Sequence, residues 1–347
     1  MKNHIIVLLI FFPLIIFSQN NNEKLKEAIK LMDAGKLDES IVLLQECANT
    51  EPDNYIYPYE IALAYVYKKD YKQAIKILDK AKKLEPSSSQ IYQLLGNSYS
   101  YLGKPKKAIQ IYEKGMKLFP DAGNLYLEKG NVYWYQQKFN EAVDSYKKGI
   151  EIDPMFSSNY FRLAKIYLKT NDKLSGLIYG ELFMNLERNT ARTEEMSELL
   201  FFTYKDAITI EENKTDYNFC EIIVDVNDLN SEFKVPFCLI FVNNFLDINS
   251  DYKEVNLLTL SKMRTNLITN YFKKDYKTHP NILLQYLKKI QDNNYIDEYN
   301  HYIFQKGFPE EFEKWAYIKS YEYSRFLDWY SKPENTLEIK KGNIFKP

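Results

Sequence analysis

Three histidines, three cysteines and a scatter of carboxylates are what this chain could use for chemistry. His4 lies in an apolar N-terminal run, which leaves His279 and His301. His279 precedes Pro280 in a stretch that reads as a loop, where a solvated imidazole is the ordinary outcome. His301 follows Glu298 at helical spacing, so the two share a face. A Glu-x-x-His pair supplies two metal ligands in di-iron helix bundles, but such sites need a second pair and further carboxylates. The chain holds no second pair, so His301 is expected to be a hydrogen-bonding histidine and no metal site is expected. Cys47, Cys220 and Cys238 form an odd set without a C-x-x-C pair. Cys47 reads as an inert core thiol. Cys220 and Cys238 would pair only in an oxidising compartment and only if folding brings them together, which their spacing leaves open. There is no phosphate-binding glycine loop, no G-x-S-x-G elbow and no Cys–His pairing at a known spacing. These residues imply no catalytic group, no metal and no cofactor.

What positions side chains in this chain is a repeat. Pro52, Pro86, Pro120 and Pro154 recur every 34 residues without insertion or deletion. Counting from them sets five units, 21–54, 55–88, 89–122, 123–156 and 157–190. A fixed period of this length marks a stacked-helix solenoid. The middle units each read as two helices: Tyr55–Lys68 with Tyr71–Leu84, Ser89–Leu102 with Pro105–Leu118, and Gly123–Gln136 with Phe139–Ile152. Position 8 of the unit holds Ala28, Ala62, Gly96, Gly130 and Ala164, and position 20 holds Ser40, Ala74, Ala108, Ala142 and Gly176. Small residues there let two helix backbones approach, while Tyr65, Tyr99, Tyr133 and Tyr167 at position 11 fill the space beside them.

This pattern resembles the tetratricopeptide repeat. The run Tyr92, Leu95, Gly96, Tyr99, Ala108, Tyr112, Gly115, Pro120 follows it, as does Tyr126, Gly130, Tyr133, Ala142, Tyr146, Gly149, Pro154. The first unit, with Lys24 and Glu27 at apolar positions, reads as a cap. The fifth departs from the pattern: Gly180 stands where a large residue belongs, Phe183 where a small one belongs, and Arg188 replaces the proline. The solenoid is expected to end there, with helix Lys173–Leu186 docking a different domain. The segment from Gly180 to Ser197 also resembles a stretch of exported repeat proteins, which implies no activity.

The resemblance implies a binding groove for extended or helical peptides, lined by positions 2, 5, 9, 12 and 13 of the first helices. Carried over residue by residue, that groove holds Tyr59, Leu63, Tyr67, Gln93, Asn97, Tyr101, Leu127, Asn131, Trp134, Tyr135, Phe161, Lys165 and Lys169. Asn97 and Asn131 would each bond a peptide backbone through both C=O and N–H, and Tyr101, Trp134 and Tyr135 offer rigid aromatic area. The family's clamp for a chain-terminal carboxylate wants Lys where Gln93 and Leu127 stand, so that clamp is not implied. Arg162, Lys165 and Lys169 make a basic patch suited to an acidic segment, one from the chain's own C-terminal half included. A ridge of Lys72, Lys76, Lys80 and Lys83 along one second helix reads as solvated.

The remaining features concern compartment and context. Residues 1–18 combine Lys2 with an apolar run from Ile5 to Phe17 and end at Ser18, the layout of a secretory signal peptide, and the run is short for a spanning helix. No cysteine follows it, against a lipid anchor. The mature chain is expected to be exported, periplasmic or secreted, without stable membrane insertion. Net charge is −1 with 27% charged residues, so the chain as a whole lacks the basic excess of a nucleic-acid or a membrane-surface binder. Residues 19–189 read as the repeats and 190–347 as a mainly helical C-terminal domain, with helices at Thr193–Ile208, Val235–Phe245, Leu257–Phe272, Ile282–Gln291, Tyr295–Phe304 and one long helix from Pro309 to Pro333. The segment Cys220–Val226 suits a short strand. The fold class is therefore all-α, a tetratricopeptide-type solenoid followed by that domain. The function read from it is a non-catalytic adaptor for a protein or peptide partner. Two other classes stay open: an enzyme in the C-terminal half served by the repeats, and a self-assembling envelope component.

Overall fold

The structure is a computed structural model that describes residues 12–84, 87–211, 214–221, 235–245 and 252–347. Residues 1–11 of the expected leader lie outside the described residues, and the chain is helical from Phe12. Ten helices follow one another in the expected order. They are α1(Phe12–Asp33), α2(Leu37–Thr50), α3(Ile56–Tyr67), α4(Tyr71–Ala81), α5(Ser89–Tyr101), α6(Pro105–Leu118), α7(Gly123–Tyr135), α8(Phe139–Ile152), α9(Ser157–Tyr167) and α10(Lys173–Leu186), and α1 packs on α2, α3 on α4, α5 on α6 and α9 on α10. By compactness the chain divides into two units, Met1–Ser145 and Tyr146–Pro347. That division falls within α8 and does not coincide with the loss of the period near residue 190.

In the first unit each hairpin turns through one left-handed residue at position 15: Gly35, Lys69, Gly103 and Gln137, with φ of 76°, 61°, 70° and 60°. The next N–H then reaches back to the carbonyl at position 11, as from Lys36 to Leu31, Asp70 to Tyr65, Lys104 to Tyr99 and Lys138 to Tyr133, at 2.8–3.0 Å. This is the helix C-cap that satisfies orphan carbonyls. At the start of α4 the Asp70 carboxylate accepts from Gln73 N, and α6 starts on Pro105. Ala62, Ala74, Leu78, Ala108 and Tyr112 are fully buried. A Cβ on Gly96 would collide with the Tyr112 ring, so glycine is what admits the tyrosine. Neighbouring first helices pack directly, α3 on α5 and α5 on α7, while α4 and α6 each reach the next unit through its first helix. First helices therefore form the inner side of this unit and second helices the outer side.

In the second unit α10 is buried from Leu174 to Asn185. The volume swap read from the sequence explains how. Gly180 lets α11(Ala191–Ala207) approach, its virtual Cβ lying 2.8 Å from both Leu200 and Met196, and Phe183 fills the other side against Phe161 at 4.9 Å. Gly176 meets the backbone N of Leu168 at 2.5 Å from a virtual Cβ, a neighbour that cannot rotate away. Gly176→Ala is thus expected to destabilise by about 1–3 kcal/mol through overpacking, measured by chemical denaturation.

After α11 a short antiparallel hairpin pairs β1(Ile208–Glu211) with β2(Lys214–Tyr217). The strand expected at Cys220–Val226 falls mostly outside the described residues, and Cys220 and Glu221 are not in a strand. Next come α12(Phe237–Phe245), α13(Leu257–Lys274), α14(Ile282–Asp292) and α15(Ile296–Phe304). The expected single helix from Pro309 is two, α16(Pro309–Ile318) and α17(Ser320–Tyr330), because Lys319 leaves the helix at φ −101° and ψ 26°. The break lets both halves use their aromatic stripe: Trp315 stacks on His301 while Phe326 and Tyr330 enter the core. Cys220 and Cys238 form a disulfide, and Cys47 is a fully buried free thiol. Among the described residues no helix is long and apolar enough to cross a membrane.

Candidate functional site

The inner side of the first unit collects ten of the expected groove residues. Tyr59, Leu63 and Tyr67 come from α3, Gln93, Asn97 and Tyr101 from α5, and Leu127, Asn131, Trp134 and Tyr135 from α7. Three tyrosines at position 13 stand out of the surface, with exposures of 58% for Tyr67, 59% for Tyr101 and 80% for Tyr135. Trp134 packs its ring edge-on against Phe139 at 4.8 Å, and Tyr101 lies 5.2 Å from Tyr71. Leu127 does not line the face: it is buried. Tyr59, Leu63, Gln93, Asn97 and Asn131 are half-buried.

The polar members are committed to one another. Gln93 donates to Glu128 Oε1 at 2.9 Å and accepts from Asn124 at 2.8 Å, and Asn131 Nδ2 donates to Glu128 Oε2 at 3.1 Å. Tyr112, buried beneath, donates its hydroxyl to Asn97 Oδ1 at 2.5 Å. The expectation that both asparagines offer C=O and N–H to a peptide therefore changes in detail: one Asn97 oxygen lone pair and an Asn131 N–H are already engaged. Glu128 is the residue sequence reasoning missed. It sits at position 6, which the groove positions do not include, and its effect shows in Tyr101, whose hydroxyl is pushed above the usual tyrosine range by burial first and by the Glu128 charge second. Positions 2, 5, 9, 12 and 13 of these three units carry no charged side chain.

The other three expected residues belong to the second unit. Phe161 is buried against Phe183 and Lys169 is exposed. Lys165 lies 2.5 Å from Glu195 of α11, so an acidic residue of the chain itself answers the basic patch.

Deeper in this unit a buried polar cluster ties α10 to four later helices. Arg264 donates to Glu181 Oε1 at 2.5 Å, to Asn300 Oδ1 at 2.7 Å and to the Tyr204 hydroxyl at 3.0 Å. Tyr299 donates to the same Glu181 oxygen at 2.9 Å, and Tyr330 donates to Asn185 at 2.8 Å. All of these side chains are buried. Among the described residues these side chains satisfy one another in the interior, which ties the helices together.

His301 lies in the same unit. It is 2% exposed, its Nδ1 is 2.9 Å from Asp297 O, and its ring lies flat on Trp315 with centroids 3.9 Å apart. Glu298 is not joined to it in any metal-ligand set, and no group of three or more metal-ligating side chains gathers among the described residues. His279 contacts Thr278 Oγ1 in its turn. Ser261 and Asp297 line a cavity of about 270 Å³ with Lys262 and Thr265, but Ser261 is 3% exposed and its hydroxyl is bonded to Asp297 at 2.7 Å.

Glu298 has a buried Oε2 with no hydrogen-bond partner among the described residues. Burial pushes its carboxyl above the usual carboxylate range, and Asp297 and Glu322 push it the same way. A carboxyl whose folded-state pKa is raised favours folding below its unfolded pKa and loses that contribution as pH rises through the folded value. Glu298→Gln is therefore expected to raise Tm by roughly 1–3 °C at neutral pH and to change nothing at pH below the carboxylate range, in paired calorimetric scans.

The geometry defines a class first: paired helices in a fixed register, stacked so that first helices share an inner face, make a helical-hairpin scaffold. Residues 130–171 match the family profile described as "TPR repeat", and residues 21–115 match the one described as "Anaphase-promoting complex, cyclosome, subunit 3". The chain carries tetratricopeptide repeats. Solved structures similar to it include a MamA fragment from Desulfovibrio magneticus RS-1, 19% identical over 49% of this chain and 97% of that one, with a TM-score of 0.36. Two others are pilF of Pseudomonas aeruginosa, at 14%, 55% and 85% with 0.43, and a thermophilic TPR protein of Thermus thermophilus, at 16%, 52% and 98% with 0.43. No curated protein gives a significant match.

Proposed function

We propose that this chain is an exported scaffold whose repeats hold an extended segment of another protein on the inner face of the first unit. The observation that carries the reading is the row of Tyr67, Tyr101 and Tyr135, three aromatic side chains at one repeat position, held out of the core at 58–80% exposure. Exposed aromatics in a line on rigid helices are the kind of anchor that binding hot spots use. The segment it suits is neutral or basic with apolar side chains, because the face positions are uncharged and the charge set among them is Glu128. A chain-terminal carboxylate has no lysine to meet it there. In the fifth repeat Phe161 is buried and Lys165 and Lys169 remain at the surface, the Lys165 charge being offset by Glu195. Export is supported by the apolar run before Ser18 and by the Cys220–Cys238 disulfide, a bond that persists in oxidising compartments. Selection of a displayed random-peptide library on the purified chain tests the reading. Enrichment of neutral or basic sequences that Glu128→Lys no longer retains is expected, and no enrichment over bare resin would refute it.

A further inference from the structure

The outer helices of the first unit carry a surface that the groove does not use. Residues 69–118 contain eleven Lys and no Arg against four acidic residues. Six of these lysines form three rows across successive hairpins, one repeat apart: Lys72 with Lys106, Lys80 with Lys114, and Lys83 with Lys117. All six are exposed, and none makes an ion pair among the described residues. The rows stop at both ends. The same positions hold Asp38, Glu46 and Asn49 in the first unit of the repeat, and Asn140, Lys148 and Glu151 in the fourth, where Lys148 pairs with Glu151. The positive face is therefore confined to two hairpins, on α4, the turn after it and α6, whereas the tyrosine row is carried by first helices.

We propose that this face adsorbs the chain to an anionic lipid surface. Uncompensated like charges at neighbouring repeat positions repel one another, so the arrangement stabilises nothing within the chain and is relieved by an anionic counter-surface. The chemistry of the side chains selects the kind of surface. Lysine is a hydrated point charge, suited to a diffuse layer of headgroups, whereas forked recognition of nucleic acid or of protein carboxylates draws on arginine, of which the patch has none. A protein interface would also need an apolar centre; among the described residues the large apolar side chain exposed here is Leu118, at 61%, beside Lys117 at the end of a row, and the hollow lined by Tyr99 and Pro105 is ringed by Lys104, Lys106 and Lys107. Several lysines close to such a surface act together through a short-range field that salt screens. Adsorption by the outer side would leave the inner face open to a partner.

Vesicle co-sedimentation of the full chain tests this, with phosphatidylcholine alone against equal parts of phosphatidylcholine and phosphatidylglycerol. Any apolar contribution from the N-terminal run is common to both vesicles, so the difference between them reads the lysines. The anionic vesicles are expected to bind at least ten-fold more protein at low ionic strength, with the excess lost at about 0.5 M salt. The variant K72E/K80E/K106E/K114E, and its counterpart with glutamine at the four sites, should each lose that excess while keeping the far-ultraviolet circular dichroism of the parent. Equal binding to both vesicles, or an excess that survives in the glutamine variant, overturns the proposal. Binding to immobilised polyglutamate or to DNA without binding to anionic vesicles also overturns it, in favour of an acidic macromolecule.

Discussion

Arg264→Met is expected to lower the stability of the second unit by about 3–5 kcal/mol, the range found when one partner of a buried ion pair is removed. Arg264 is 1% exposed and satisfies three acceptors from three helices, Glu181 of α10, Tyr204 of α11 and Asn300 of α15. Its guanidinium also lies 5.1 Å from the Phe304 ring centroid. Methionine fills much of the volume but leaves the Glu181 carboxylate, 1% exposed, with only the Tyr299 hydroxyl and no cation. The loss thus comes from the orphaned charge more than from the missing bonds. The double variant Glu181→Leu with Arg264→Met should recover most of it, since apolar replacement of a whole buried pair is commonly neutral or better. Denaturant unfolding followed by Trp315 and Trp329 fluorescence reads this unit, and the double-mutant cycle gives the coupling. A single-variant loss below about 1 kcal/mol would mean that water or another side chain compensates, and that α10 is held by its apolar contacts alone.

That cluster also marks where the sequence stops being readable. The repeats could be found because each hairpin obeys the same spacing, so Gly96 under Tyr112 or Ala62 beside Ala74 repeats its reason every 34 residues. Gly180 and Phe183 were legible for the same reason, as departures from a known phase whose volumes predict a new neighbour. Glu181 lies between them and carries no such signal. Its partners are 83 and 118 residues away on helices without any period, and nothing local distinguishes it from a solvated glutamate. The break at Lys319 was hidden because Phe312, Trp315, Tyr323 and Phe326 fit one helical stripe; packing on His301 and in the core overrides that local preference. The Cys220–Cys238 bond was undecidable for a similar reason, since their spacing says nothing of the path between them. On the inner face, counting positions located the tyrosines. It missed Glu128 and placed Leu127 outward, because a helix that meets two neighbours buries a wider arc than five positions describe.

Replacing Tyr67, Tyr101 and Tyr135 together by alanine is expected to weaken capture of a selected peptide by at least a hundred-fold while leaving folding almost unchanged. Each ring is more than half exposed, so little of its area is buried by folding, and surface substitutions of this kind usually stay within about 0.5 kcal/mol. Tyr101 departs most from this, through its contact with Tyr71 at 5.2 Å. A tyrosine that anchors a partner contributes roughly 1–2 kcal/mol, and three in a row acting on one extended segment exceed the roughly 2.7 kcal/mol of a hundred-fold change even with partial non-additivity. The asparagines make a poorer test. Asn97→Ala would strip the acceptor from the fully buried Tyr112 hydroxyl and destabilise the hairpin by about 1–3 kcal/mol, so lost binding could not be told from lost structure. Calorimetric titration of parent and triple variant, with their thermal unfolding measured side by side, separates the two effects. If the triple variant binds the peptide within three-fold of the parent, the position-13 row is not the binding surface, and the partner must be held by the second helices or by the second unit.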